Sequence, residues 1–433
     1  FLIERVKRKD IENWEEAQEM LTFTLDKMSQ GGIYDHLGGG FHRYSTDRYW
    51  HIPHFEKMLY DNGQLATVYA EAYALTGNEE YRLVASGILD FVQREMMDAG
   101  GAFYAALDAE TDAEEGKFYR WTKEELDEHL SDADRELFGE IYNLNGEPNF
   151  EEEYYVPLLT KSLSELASER EVDLEALVEK LKPTRERLLT VRNQRKRPLT
   201  DTKILTSWNG LMIRGFADAG RLLDNGQYID VASKAEQFIS DNLEQQDGRL
   251  LRTYTAGESK LKGYLDDYAF LVDARIALHK ARQLESPYLG KARQLADKQI
   301  EMFWDEEGGG FFFTSDDHEA LIARAKGPVD TVIPSGNSVS AGNLLYLGAN
   351  VASTETDNPP TYREKAYETI VESGVYIRLS PGAVTRMAIH IGEYLATESD
   401  APGNDESGDD ATSGETESSP PPAEDNVERG EGE

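Results

Sequence analysis

Half of the chain's eight histidines fall in one stretch, GGIYDHLGGGFHRYSTDRYWHIPHFEKMLYDNGQ. His36, His42, His51 and His54 stand there among Tyr34, Arg43, Trp50, Glu56, Lys57, Tyr60 and Asp61. A histidine or a carboxylate is the usual proton carrier near neutral pH. Aromatic faces such as Tyr34, Trp50 and Tyr60 suit the apolar face of a sugar ring, and the polar groups around them suit its hydroxyls. The plain alternative for any one of these histidines is a buried ring that satisfies backbone groups. So many polar groups in one segment are costly for packing alone. A zinc site on His51, His54 and Glu56 is disfavoured: Pro53 breaks the helical presentation that a His-x-x-x-His site needs. No metal is expected.

Four further segments carry chemistry-bearing residues. YAALDAETDAEEGKFYRW holds Asp108, Glu110, Glu115 and Trp121, and TDTKILTSWNG holds Asp201, Lys203, Trp208 and Asn209. GYLDDYAF holds Asp266, Asp267 and Tyr268, and AKGPVDTVIPSGNS holds Lys326, Asp330, Ser335 and Asn337. The bland readings are helix capping for the Asp pair and turn chemistry for Asn209-Gly and Ser335-Gly-Asn. Ser335 lies in no G-x-S-x-G elbow, which argues against a serine hydrolase. No P-loop or dinucleotide fingerprint occurs, so no cofactor is implied.

These segments punctuate a repeat. Each copy reads as a helix, a polar turn, a Tyr opening a second helix, and a Gly-rich turn followed by an aromatic or apolar residue. The gap from the opening Tyr (Tyr81, Tyr228, Tyr288, Tyr362) to the residue after the second turn is about 22 residues. That constancy predicts helices of one length ending in one kind of turn. Leu65, Val68, Tyr69, Ala72 and Tyr73 keep the spacing of a helix face. The stretch from Phe270 to Leu278 is apolar nearly all round, as an inner helix would be. Four copies are visible, the last of them fainter, residues 11–41 read as the second half of a clipped first hairpin, and 123–200 as an irregular copy with an insertion. Six hairpins close an all-α (α/α)6 toroid over 1–396, with short β-hairpins in the loops at one end. Turns inside hairpins are bland. The loops between hairpins hold the chemistry, and antiparallel hairpins bring all such loops to one end of a ring.

The chain is strongly acidic, with 82 Asp and Glu against 45 Lys and Arg. Such a surface repels nucleic acid and anionic lipid. It suits solubility and also a salt-rich cytoplasm, where screening weakens self-repulsion. There is no cysteine, which excludes disulfides and thiolate chemistry and fits a cytoplasmic setting. No apolar run has the length of a membrane span. Residues 397–433 are acidic and rich in Ser, Pro and Gly, and are expected to be disordered.

GGIYDHLGGGFHRYSTDRYWHIPHFEKMLYDNGQLA closely resembles the signature of the spermatogenesis-associated protein 20 family, whose microbial relatives are DUF255 thioredoxin-domain-containing proteins. DAETDAEEGKFYRWT, RPLTDTKILTSWNGLM, YLDDYAF, FWDEEGGGFFFT and PSGNS extend the resemblance over roughly residues 20–345. It implies a six-hairpin toroid like those of six-hairpin glycosidases and N-acylglucosamine 2-epimerases, with a thioredoxin-like domain upstream as a partner. Residues 1–433 include no such domain. The resemblance also implies carbohydrate metabolism, with a sugar or glycan as substrate.

The expected activity is therefore a sugar epimerase or isomerase, or a glycosidase. In the first, His54 or His36 exchanges a proton beside a carbonyl, Glu56 orients the ring, and Lys57 or Arg43 stabilises the oxyanion. In the second, Asp267 with Asp108 or Glu56 supplies the acid/base pair. Tyr34, His42, Arg43, Trp50, His51, Lys57, Tyr60, Asp61, Glu110, Trp208, Asn209, Asp266, Tyr268, Ser335 and Asn337 are expected to bind substrate. The rival reading is a non-catalytic module that holds a glycan or a protein for a thioredoxin-like partner.

Overall fold

The computed structural model describes residues 1–9, 12–282, 287–319, 322–351 and 361–399. Of the acidic tail expected over 397–433, residues 397–399 belong to the last helix and the rest lie outside the described residues. The helices are α1 (Leu2–Lys7), α2 (Trp14–Gln30), α3 (Leu59–Thr76), α4 (Glu79–Glu95), α5 (Lys123–His129), α6 (Asp132–Asp134), α7 (Leu163–Glu169) and α8 (Leu174–Arg192). They continue as α9 (Thr206–Leu222), α10 (Gly226–Asn242), α11 (Leu265–Arg282), α12 (Tyr288–Phe303), α13 (Gly336–Asn350), α14 (Tyr362–Glu372), α15 (Gly374–Leu379) and α16 (Thr385–Ser399).

Six of these form the inner ring in the order α1, α3, α9, α11, α13, α16, and all six line one central cavity. Lys7 faces Glu71 of α3 at 3.9 Å, and Arg8 donates to the Gly392 carbonyl of α16 at 3.5 Å, which closes the circle. The expected toroid is the observed fold. Helices α2, α4, α10, α12 and α14 pack outside, each burying one face. Inner helices approach backbone to backbone where glycine permits it: a Cβ on Gly63 would sit 2.9 Å from the Leu211 carbonyl carbon, and one on Gly210 2.8 Å from that of Phe270.

Asn62-Gly63 and Asn209-Gly210 therefore lie inside helices, not in turns, and each residue of the pair has its own task. Asn62 clamps the residue that follows the preceding Gly-rich turn: its Oδ1 accepts from the Phe41 N–H at 2.8 Å and its Nδ2 donates to the Phe41 carbonyl at 3.1 Å. Asn209 holds Phe103 in the same way at 2.9 and 3.0 Å, and Asn337 holds Phe311 at 2.8 Å on both sides. In the remaining copy the Tyr268 hydroxyl accepts from the Leu250 N–H at 2.8 Å. Phe41, Phe103, Leu250 and Phe311 are also the second residues of single β-bridges, with Tyr34, Met97, Glu244 and Trp304. In the Tyr81, Tyr228 and Tyr288 copies the regular gap in the sequence is the distance from the start of an outer helix to its clamp, whereas in the Tyr362 copy α14 ends at Glu372 and α15 fills the gap.

Residues 123–200 supply no wall of the ring. Helices α5, α7 and α8 and the π-helical turn Arg135–Gly139 close their apolar faces on one another, around Trp121, Leu126, Phe138, Leu177 and Leu188. The sixth wall is α16. Short strands decorate the end where inner helices begin: β1 (Tyr44–Ser45), β2 (Pro53–His54), β3 (Lys57–Met58), β4 (Ala106–Leu107), β5 (Glu110–Thr111), β6 (Glu114–Glu115), β7 (Thr200–Asp201), β8 (Ile204–Leu205), β9 (Leu251–Thr255) and β10 (Glu258–Lys262). All their pairings are antiparallel: β1 with β2, β5 with β6, β3–β4–β7 and β8–β9–β10. No described helix is long and apolar enough to cross a membrane.

Candidate functional site

The histidine-rich segment divides in two. Its first half is built into the wall. Asp35 accepts from Lys57 Nζ and from Arg192 Nη1, each at 2.8 Å, and from the N–H groups of Leu37 and Gly38. Burial alone would raise the Asp35 pKa, but Arg192 and Lys57 overturn that and hold it well below the usual carboxylate range. Lys57 is wholly buried, also donates to the Gly39 carbonyl, and lies over the ring of Phe91. Burial brings it down to about 8 against the pull of Asp35. His36 Nε2 donates to the carbonyls of Gln30 and Gly31, and burial lowers the ring to about 4. His42 Nδ1 donates to the Phe55 carbonyl at 2.9 Å with its ring edge-on to Tyr119, and burial holds it well below its ordinary value. The Tyr34 ring packs against Phe41 and His36, and burial raises its hydroxyl pKa. Trp50 and His51 belong to a loop organised by Asp47, whose carboxylate accepts from the N–H groups of Tyr49, His51 and Ile52.

The second half faces the mouth of the ring. Pairing of β1 with β2 sets Tyr44 opposite His54, and the two rings stack at 4.8 Å. The β5–β6 hairpin carries Glu115 to His54, whose Nδ1 donates to Glu115 Oε1 at 2.7 Å. His54 Nε2 stands 3.6 Å from Glu56 Oε2, and Glu56 accepts from Arg43 Nη1 at 2.8 Å. Arg43 also interacts with Tyr60, the second residue of α3. The Tyr60 ring meets Trp208 edge-on at 4.8 Å. Asp61 follows Tyr60. Its Oδ2 is enclosed without a hydrogen-bond partner, and burial raises the carboxyl to about 7 although Arg43 pulls the other way.

Asp266 opens α11 on the same rim. Burial, and then the neighbouring Asp267, push it up to about 7. Asp267 is fully buried and joins two helices: Oδ1 accepts from the Ser207 N–H of α9 and Oδ2 from the Tyr264 N–H, each at 2.9 Å. Ser335 caps α13, accepting from the Asn337 N–H and donating to the Gly327 carbonyl. The loop before α13 crosses the mouth: Gln64 Nε2 of α3 donates to the Val332 carbonyl at 3.0 Å, and Ile333 packs against the same apolar cluster as Trp208.

The ring thus gathers Arg43, His54, Glu56, Tyr60, Asp61, Trp208 and Asp266 at the end from which its inner helices start. Tyr34, His36, His42, Lys57, Asn209, Asp267, Tyr268, Ser335 and Asn337 lie in the joints beneath, bonded mostly to backbone. Asp108 and Glu110 are exposed, and Asp108 Oδ1 accepts from the Glu110 N–H within its own turn.

Sequence reasoning passed over a second polar region, the cavity of about 660 Å³ inside the ring. Arg214, Asp218, Asp273, Arg386, His390 and Glu393 line it, on α9, α11 and α16. His390 and Glu393 lie three apart on a helix, the one cue the sequence offered.

Chains of similar architecture act on sugars. The structure superposes on a cellobiose 2-epimerase from Bacillus thermoamylovorans with a TM-score of 0.51 and 11% identity, covering 83% of this chain and 72% of that one. It matches a GH76 α-mannanase from Bacteroides thetaiotaomicron with a TM-score of 0.51 and 12% identity, over 92% and 84% of the two chains. At those identities the likeness is one of fold, and it defines the class: an (α/α)6 toroid of six helical hairpins. In sequence the chain is 39% identical over 365 residues to human spermatogenesis-associated protein 20, covering 76% of this chain and 46% of that protein. This places the chain with the spermatogenesis-associated protein 20 family, and it spans about half the length of the curated relatives it matches. No protein-family model matches it.

Proposed function

We propose that the chain is an acid–base enzyme acting on a glycan at the rim of the toroid, with Asp61 as the proton donor and Glu56 as the partnering carboxylate. Asp61 carries the reading: a carboxyl that retains its proton up to about pH 7, with one oxygen lacking a partner, beside the ion pair of Glu56 and Arg43. Two carboxyl groups whose surroundings differ in this way divide the roles of acid and base. As the glycosidic C–O bond breaks, Asp61 gives its proton to the leaving oxygen. Glu56 deprotonates the attacking water, or attacks the anomeric carbon itself. Trp208, part-exposed and backed by the buried Tyr60, offers its ring to the sugar. His54, steadied by Glu115, offers Nε2 to a hydroxyl.

Hydrolysis is preferred to epimerisation because two of the four clustered histidines, His36 and His42, are committed to backbone carbonyls. His54 beside Glu56 still supports proton exchange as the second reading. The thioredoxin-like domain implied by the resemblance remains a proposed partner of this site.

A panel of aryl glycosides and unlabelled oligosaccharides, run in deuterated buffer, distinguishes the readings. Hydrolysis lowered about 100-fold or more by Asp61→Asn is the expected result. Deuterium incorporation without cleavage, lost in His54→Gln, would transfer the function to epimerisation. Binding without either reaction would make the toroid a non-catalytic module.

A further inference from the structure

Two side chains of the cavity within the ring, neither of them used in the rim chemistry, each carry an enclosed nitrogen without a partner. His390 is only 4% exposed. Its Nδ1 donates to Glu393 Oε2 at 2.7 Å, whereas its Nε2 has no hydrogen bond. The ring lies flat on α13 because position 342 is glycine; a Cβ there would fall 2.3 Å from His390 Cε1. Arg386, one turn earlier on α16, is the second. Its backbone N–H is held by Asp330, but its guanidinium makes no hydrogen bond among the described residues, and Nε is enclosed without a partner. Its nearest carboxylate oxygen is Asp273 Oδ2 at 4.0 Å, which Arg214 already holds.

The other charges of the cavity are better matched. Asp218 answers Arg214 at 3.2 Å and Arg221 at 3.6 Å, and Lys7 faces Glu71. Lys280 has no carboxylate within ion-pair range among the described residues and lies over the Tyr346 ring at 4.4 Å. Arg386 thus has an enclosed Nε without a partner and only a 4.0 Å contact to a carboxylate that is already paired, which is costly unless a ligand supplies the charge. The volume, about 660 Å³, lies within the range of small-molecule sites, roughly 300–1,000 Å³.

We propose that this interior cavity is a second ligand site, for a small hydroxylated molecule carrying one anionic group. Arg386 receives the anion, His390 Nε2 meets a hydroxyl, and Lys280 lies on the far wall. A sugar acid and a sugar phosphate share that chemistry. The site does not depend on the rim reading, since Arg386, His390 and Lys280 take no part in the rim chemistry.

Calorimetry on the whole chain at low salt tests it, with glucuronate, glucose 6-phosphate and glucose as probes. Saturable binding of at least one anionic sugar, about tenfold or more tighter than glucose, is expected. Arg386→Gln should weaken it about tenfold or more, and Asp61→Asn should leave it unchanged. Which anionic sugar binds tells a carboxylate from a phosphate ligand. The proposal is overturned if both anionic sugars bind no tighter than glucose, or if folded Arg386→Gln titrates like the parent. Should that variant not fold, ring-labelled histidine spectra of the unmutated chain decide, with His390 assigned by His390→Asn. A saturable shift of the His390 signals on adding the anionic sugar supports the site, and signals that stay in place overturn it.

Discussion

Asp35 and Asp61 are both carboxyl groups withdrawn from water, and the ring treats them in opposite ways. Asp35 is surrounded by donors: Lys57, Arg192 and two backbone N–H groups leave it charged and held. Asp61 is buried with one oxygen unmatched, and the nearest cation, Arg43, is already bonded to Glu56. Burial with partners fixes a charge and stiffens a joint. Burial without them leaves a proton that can be given away. The two residues lie in the same segment, so residue type alone could not tell the joint from the tool.

The difference can be broken first at Asp35. Asp35→Ala leaves Lys57 and Arg192 buried without their shared anion, and should cost about 3–5 kcal/mol in denaturant unfolding. The same loss should develop in the unmutated chain as pH falls, because a depressed pKa contributes stability above the unfolded value of about 3.9 that is lost on protonation.

Asp61→Asn should do the reverse. Hydrolysis should fall about 100-fold or more, while the melting temperature at pH 8 rises by a few degrees. The sign follows from the raised pKa: the folded chain holds a proton that the unfolded chain has lost, so stability declines from about pH 4 to about 7 and the cost remains above that. A melting temperature that drops at pH 8 would put Asp61 among the joints.

A smaller effect is expected at the clamps. Asn209→Ala abandons the Phe103 N–H and carbonyl and should cost about 1–3 kcal/mol in unfolding. Any loss of activity should then track loss of folded protein. The smallest is His54→Gln, which should change stability by no more than about 0.5 kcal/mol, because the ring is partly exposed and its partners reach water.

The toroid was legible because its cause is periodic. Outer helices of 16 or 17 residues, Gly-rich turns and an aromatic or leucine after the turn recur through α12, and the clamps formed by Asn62, Asn209, Tyr268 and Asn337 explain why; the last outer helix, α14, is shorter at 11 residues. The sixth wall was less legible: 123–200 has helical periodicity, but its apolar faces close on each other, and α16 completes the ring instead. Crowding of His, Arg, Glu and Tyr marked the segment that reaches the rim. It could not show that His36 and His42 turn inward to carbonyls while His54 turns outward. The interior cavity left almost no trace, because Arg214, Asp273, Arg386 and His390 come from three helices and meet only when the ring closes.

The most direct test of the account is the pH dependence of kcat/KM for a cleaved glycoside. With Asp61 as the acid, the rate should hold up to about pH 7 and then fall tenfold per pH unit, and the residual rate of Asp61→Asn should lack that limb. An alkaline limb that persists in Asp61→Asn, or full activity in that variant, would contradict the assignment of Asp61.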